Sequence, residues 1–251
     1  MTGTELISPN TALELDVLVQ RYRRAGGVGI QVLNLMGTQA ENLLEHLPDG
    51  VKNRLETATE RALAIAMDAA SQSRGRVGDA PGWLNRAVTT AMGAAGGFGG
   101  LPSALAELPV TTTVLLRAIQ GIAAEHGFDP EDAEIRAECL AVFAAAGPLE
   151  HDDGANMAFL SARVTLTGAT VNAMIARIAP RLATVLGQKL AAQAVPVVGA
   201  VAGAATNFAY TSYYQEIAHV HFALLRLARA EGIPREALVN DLRLRLAITT
   251  R

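Results

Sequence analysis

The chain has 251 residues, enough for one large domain or two small ones with a sizeable core. Half of the residues are apolar and only 18% are charged, which excludes intrinsic disorder. The net charge of −3 argues against the broad basic face that general nucleic-acid binding needs, so no nucleic-acid partner is expected. Aromatic residues are only 4% and alanine supplies much of the apolar fraction, a composition suited to helices whose backbones approach closely. Cys139 is the single cysteine, which excludes an internal disulfide framework and fits a reducing compartment. The opening MTGTELISPNTALELD carries early carboxylates and no apolar run of the secretory kind, so a cytoplasmic location is expected.

Helical periodicity dominates in chain order. A first helix is expected after the cap signal Asn10-Thr11, with Leu13, Val17 and Tyr22 beginning the apolar pattern. Ile30, Leu33, Met36, Leu43, Leu44 and Leu47 continue at helical spacing up to Pro48. The next segment places Leu55, Ala62, Ile65 and Ala66 toward one side. Ser71 to Trp83, rich in glycine and arginine and without period, reads as a linker. It divides N-terminal helices over 1–80 from a helical core over 81–251, the two together forming one continuous domain. Pro109 is expected to begin or kink the helix carrying Thr111 to His126, and Gly127 to stop it. Asp129-Pro130-Glu131 signals a further helix with Ile135, Leu140, Val142 and Phe143 as core contacts, ending at Gly147-Pro148. Pro180, Pro196 and Pro234 mark later helix starts. Nothing reads as a strand pair. The expected fold class is all-α, a single Ala/Gly-rich bundle of several helices with a long C-terminal helix.

The run from Leu190 to Gln215 holds no charge. It is mostly alanine and glycine, with Gln193, Pro196 and Asn207, so it opposes membrane insertion more than it favours it. It reads instead as a helix that follows Pro196 and continues to about Arg229, with Gly199 and Gly203 allowing close packing. Gly93 with Gly97 and Gly96 with Gly100 repeat the same spacing. On the long helix Asn207, Thr211, Gln215 and His219 form one i,i+4 row, roughly continued by Arg226. Tyr210, Tyr213 and Tyr214 form either the edge of a core, the favoured reading, or a surface for lipid or a partner.

No catalytic motif is present. The five histidines, His46, His126, His151, His219 and His221, form no HExxH pair, and no GxSxG elbow occurs. His219 and His221 stand two apart, so on a helix their rings diverge and cannot readily grip one ion. No metal or cofactor is expected. Cys139, beside Glu138 and without a cationic neighbour in sequence, reads as a small buried apolar residue. The most reactive-looking spot is the acid pair Asp152-Asp153, read first as a helix cap and second as a cation or partner contact. Arg117 and Arg163 are the basic residues expected to pair with it.

Several blocks in order resemble the EcsC family of bacterial proteins: GGLPSALAELPVTTTVLLRAI, ECLAVFAAAG, HDDGANMAF and KLAAQAVPVVGAVAGAATNFAY with QEIAHVHFALLRL. The resemblance covers roughly residues 80 to 230. The family takes its name from a protein encoded beside an ABC transporter and has no established activity, while some members carry a peptidase label. With the apolar composition, the close-packing glycines, the tyrosine cluster and the absent catalytic motif, the transporter association that the resemblance implies leads to the expectation of a non-enzymatic accessory protein, peripherally associated with the inner face of the cell membrane or acting with a membrane transporter. The alternatives are a hydrolase with a site near Asp152 and Asp153, and a bundle that binds lipid or a small apolar ligand.

Overall fold

A computed structural model describes residues 8–34, 49–52, 54–74, 79, 81–98, 100–143, 173–176, 178–180, 182–183, 187 and 199–248. These residues are almost entirely helical, and none of them is in a strand. The elements in order are α1 (Pro9–Asn34), α2 (Asp49–Lys52), α3 (Leu55–Arg74), α4 (Gly82–Phe98), α5 (Gly100–Glu125) and α6 (Ala133–Val142). Further helical residues lie within 173–187. α7 (Gly199–Glu231) and α8 (Arg235–Ile248) complete the chain.

The helix ends follow from local chemistry. Ser8, two residues before the expected signal, caps α1: its Oγ accepts the Thr11 amide at 3.2 Å, with Pro9 at the first helical position. Gly127 stops α5 in a left-handed conformation at φ +84°. There the Phe128 amide donates to the Ala123 carbonyl at 3.0 Å and the Gly127 amide to Ala124 at 2.9 Å, the paired bonds of a Schellman cap. Gly232, also left-handed at φ +66°, follows α7, and Pro234 precedes α8.

Pro109 does not begin the helix: α5 starts nine residues earlier at Gly100 and runs through it. A proline forfeits one backbone bond and crowds the preceding turn. Here the helix is held on both sides of it by packing against α3 and α4, and the Pro109 carbonyl is engaged by the Thr113 hydroxyl at 2.7 Å.

α7 is the axis of the bundle. Its 33 residues extend about 50 Å at 1.5 Å per residue. It packs most extensively against α4 and α1, and also against α5, α6 and α8. Ile217, Ala218, Val220, Phe222 and Leu224 are all buried along it. α3 packs against α5 and α1 against α7 and α8, so helices from both sides of residue 80 contribute to one hydrophobic cluster.

Two apolar faces differ from the sequence expectation by a fraction of a turn. In α1 the core side is Leu15, Leu18, Val19, Tyr22 and Ala25, leaving Leu13 and Val17 exposed. In α3 it is Leu55, Ala62, Leu63, Ala66, Met67 and Ala70, with Ile65 exposed. Ile135, Leu140, Val142 and Phe143 are buried. The expected helix end at Gly147-Pro148 and the start at Pro196 lie outside the described residues.

Candidate functional site

The polar row on α7 is the internal spine of the molecule. Asn207 Nδ2 donates at 2.7 Å both to the Thr89 carbonyl of α4 and to Glu107 Oε1 of α5. Thr211 and Thr89 share a hydroxyl hydrogen bond at 2.7 Å. Gln215 accepts from the Arg86 guanidinium at 2.6 Å and donates to the Gly82 carbonyl at 3.1 Å. The order of these contacts makes α4 and α7 antiparallel. Glycine sets their separation: a Cβ at Gly93 would overlap the Gly203 carbonyl oxygen and lie 2.7 Å from Asn207 Nδ2. A Cβ at Gly96 would overlap the Glu107 carboxylate. Gly203 thus meets Gly93 across the α4–α7 contact, and Gly96 meets Glu107 of α5.

One turn beyond Gln215, His219 meets His126 at the end of α5, with ring nitrogens 3.3 Å apart. Burial pushes both imidazoles down to about 4, helped at His126 by Arg226 and Arg21 and at His219 by Arg21 and His126. The two arginines are themselves paired, Arg21 with Glu216 at 3.0 Å and Arg226 with Glu14 at 2.5 Å. Both rings are neutral at pH 7.

On the other side of α7, His221, Glu138 of α6 and Arg235 of α8 form a buried cluster. His221 Nε2 is 2.7 Å from Glu138 Oε2, and Arg235 donates to Glu138 at 3.2 Å and 3.3 Å and to His221 Nδ1 at 2.9 Å. Arginine is always a donor, so Nδ1 must accept and Nε2 must carry the proton given to Glu138. His221 is therefore neutral, in agreement with a pKa lowered by burial and by Arg235. Burial pushes the Glu138 carboxyl up, but its His221 and Arg235 partners outweigh that and hold it below its ordinary range. A carboxylate–imidazole pair of this kind serves catalysis only when the second ring nitrogen faces a substrate or nucleophile. Arg235 occupies that nitrogen and the ring is fully buried, so the cluster locks three helices together.

Of the sequence-predicted polar cluster, only Arg117 falls among the described residues. Arg117 pairs with Asp79, ahead of α4, at 3.2 Å. Asp152, Asp153 and Arg163 lie outside the described residues, as do His46 and His151. Tyr210, Tyr213 and Tyr214 retain only 3%, 6% and 1% exposure. Tyr214 stacks against Phe143 and against the other two tyrosines, with centroids 5.2 to 6.4 Å apart. A surface for lipid or a partner at these tyrosines is therefore corrected to a core cluster: they lie on the side of α7 turned toward α6 and the hydrophobic core. Cys139 is buried. Among the described residues no group of three or more His, Cys, Asp or Glu side chains could hold a metal ion.

What the sequence reading missed lies on the outside of α4. The inner side of this helix carries Asn85, Thr89, Gly93 and Gly96, all buried, with Arg86 turned to Gln215. The exposed side carries Trp83, Leu84, Ala87, Val88, Ala91 and Ala95. At 100° per residue these six occupy an arc of about 140° without one polar side chain. Trp83, the chain's only tryptophan, is 64% exposed. The helix is amphipathic with its polarity reversed. The signal was available in GWLNRAVTTAMGAAGGF, where the hydroxyls, amide and inner glycines fall on one stripe.

These elements define an all-α bundle wrapped around one long polar-striped helix. Residues 82–227, from the first residue of α4 to near the end of α7, match the model of the EcsC protein family. The match spans more than half of the chain, which therefore belongs to the EcsC family. No curated protein and no solved structure matches it.

Proposed function

We propose that the protein is a non-enzymatic accessory protein that docks peripherally on a membrane, at its inner face and alongside a membrane transport system. The observation that carries this reading is the reversed amphipathicity of α4. Its outward arc of Trp83, Leu84, Ala87, Val88, Ala91 and Ala95 has no partner among the described residues to account for it. Contiguous exposed apolar surface of this kind marks interaction sites, and a tryptophan-bearing apolar helix face suits the headgroup boundary of a bilayer. Among the described residues no helix is long and apolar enough to cross a membrane, so the reading is of a protein that lies on the bilayer. The transporter association comes from the family's namesake alone.

Trp83 supplies the test, because it is both the sole tryptophan and the most exposed large side chain of the proposed contact. Addition of phospholipid vesicles is expected to move its emission to shorter wavelength and to carry the protein to the top of a flotation gradient. Burying a Leu or Val side chain fully gains about 1.5–3 kcal/mol, and these side chains are only part exposed. A Trp83→Ser, Leu84→Ser, Val88→Ser variant should therefore bind on the order of a hundredfold more weakly. Native protein that neither floats nor changes its emission with any vesicle would refute the proposal.

A further inference from the structure

The chemistry of the α4 arc also specifies what kind of lipid surface it would meet. We infer that this surface recognises exposed acyl chain in loosely packed or curved membranes, and does not recognise anionic headgroups. The inference rests on the membrane-docking reading above.

An ordinary interfacial helix carries lysine and arginine on its polar face and gains from anionic lipid, at about 1 kcal/mol per basic residue near the surface. α4 has no such residue to offer. Its only cation, Arg86, is turned inward and donates to Gln215 Oε1 at 2.6 Å. Its polar face is not free to meet headgroups, because Thr89, Asn85 and the two inner glycines are buried in the bundle, with Thr89 bonded to Thr211 and accepting from Asn207. The chain as a whole carries −3, which gives an anionic surface no general attraction to it. On α4 itself, electrostatic capture therefore has nothing to act on.

The apolar contact is shallow as well. Leu84 and Val88 are 38% and 40% exposed, and the three alanines between and beyond them project little. A tightly packed flat bilayer presents mostly headgroups to so low a ridge. Where headgroups are spread apart, Trp83 and the leucine–valine pair reach acyl chain. Because α4 is already folded and braced by α7, docking needs no coil-to-helix transition, and affinity depends on how much hydrocarbon the lipid exposes.

The test compares the intact protein, by Trp83 emission and flotation, on four surfaces. These are small, highly curved vesicles of an unsaturated zwitterionic lipid, large vesicles of the same lipid, large vesicles containing phosphatidylserine, and the small vesicles at high salt. Small zwitterionic vesicles should bind at least tenfold more tightly than large ones, phosphatidylserine should change affinity less than twofold, and high salt should not weaken binding. An Ala91→Lys variant, placing a cation on the exposed arc without touching the α4–α7 contact, should weaken binding to zwitterionic vesicles and make binding to phosphatidylserine salt-sensitive. Native binding that requires phosphatidylserine and is lost at high salt overturns the inference while leaving membrane docking intact. Equal affinity for small and large zwitterionic vesicles overturns it too. Absence of binding to every surface overturns the docking reading itself, and would point to a protein partner for the same arc.

Discussion

Substituting Gly93 with alanine tests the α4–α7 contact directly. The added Cβ would overlap the Gly203 carbonyl and sit 2.7 Å from Asn207 Nδ2, where non-bonded heavy atoms prefer about 3.5 Å or more. Backbone lies on both sides of the clash with the carbonyl, so no flexible side chain can swing clear. The helices must separate by on the order of 1 Å, which stretches the Thr89–Thr211 and Asn207–Thr89 bonds from 2.7 Å toward the limit of useful hydrogen bonding. Overpacking costs about 1–3 kcal/mol and each weakened bond contributes about 1 kcal/mol. Against this stands a gain of about 1 kcal/mol in helix propensity. The net expectation is a loss of about 2–4 kcal/mol, or roughly 6–12 °C in Tm for a chain of this size. Gly26 in α1 is the matched control, since a Cβ there meets nothing within 4 Å. Gly26→Ala should stabilise by about 0.5–1 kcal/mol. Chemical and thermal unfolding of the two variants in parallel decides the matter. If Gly93→Ala were as stable as Gly26→Ala, the close approach of α4 to α7 would be wrong.

Two further perturbations address the buried polar clusters. His126 and His219 are held at about 4 in the folded chain against about 6.5 when unfolded. The unfolded chain therefore binds protons first, and the stability present above pH 6.5 is lost as pH falls toward 4. Allowing for coupling and solvent screening, the loss is about 2–4 kcal/mol between pH 7 and pH 4.5. A His126→Phe, His219→Leu variant should flatten the pH dependence of the urea midpoint between pH 7 and 5, and an unchanged slope would count against the pair. Glu138→Gln leaves Arg235 buried without its counter-charge and should destabilise by about 3–5 kcal/mol. Glu138→Met with Arg235→Met should lose less than that single change, because no charge is stranded. A double variant less stable than the single one would show that the cluster contributes more than mutual neutralisation.

Much of the architecture was legible because it depends on local rules. The stop at Gly127, the α6 core residues and the i,i+4 row on α7 follow from positive φ and the 3.6-residue period, which a sequence displays directly. The failures have equally specific causes. Leu13, Val17 and Ile65 are apolar and correctly spaced, yet neighbours one or two residues away take the core position, since periodicity fixes an arc and not its centre. Pro109 reads as a helix start or a kink, but α5 already begins at Gly100 and packs against α3 and α4. The ion pair of Arg117 with Asp79, distant in sequence, shows only on folding. The meeting of His126 with His219, 93 residues apart, and of Glu138 with His221 and Arg235 has no trace in any single segment. The tyrosines, read first as a core edge and buried in the structure, left a second reading open for a different reason: amphipathic rings are at home in a core and at a membrane boundary alike.

The reversed polarity of α4 has a physical logic that joins the fold to the proposed role. A helix that attaches to its bundle by burying leucines spends its apolar face on that contact and has none left for anything else. α4 attaches differently, through glycine-enabled backbone approach and hydrogen bonds from Thr89, Thr211 and Asn207. Helices inside membranes associate in the same way, because apolar burial gives them no preference for one another over lipid. Anchored so, α4 keeps its apolar side available for a second environment. The charge-free start of α7 belongs to the same design: its missing charges reflect a face that must lie against α4 with nothing but hydroxyls, an amide and glycine between them. The run whose composition opposes membrane insertion is the support against which α4 is held with its apolar side outward.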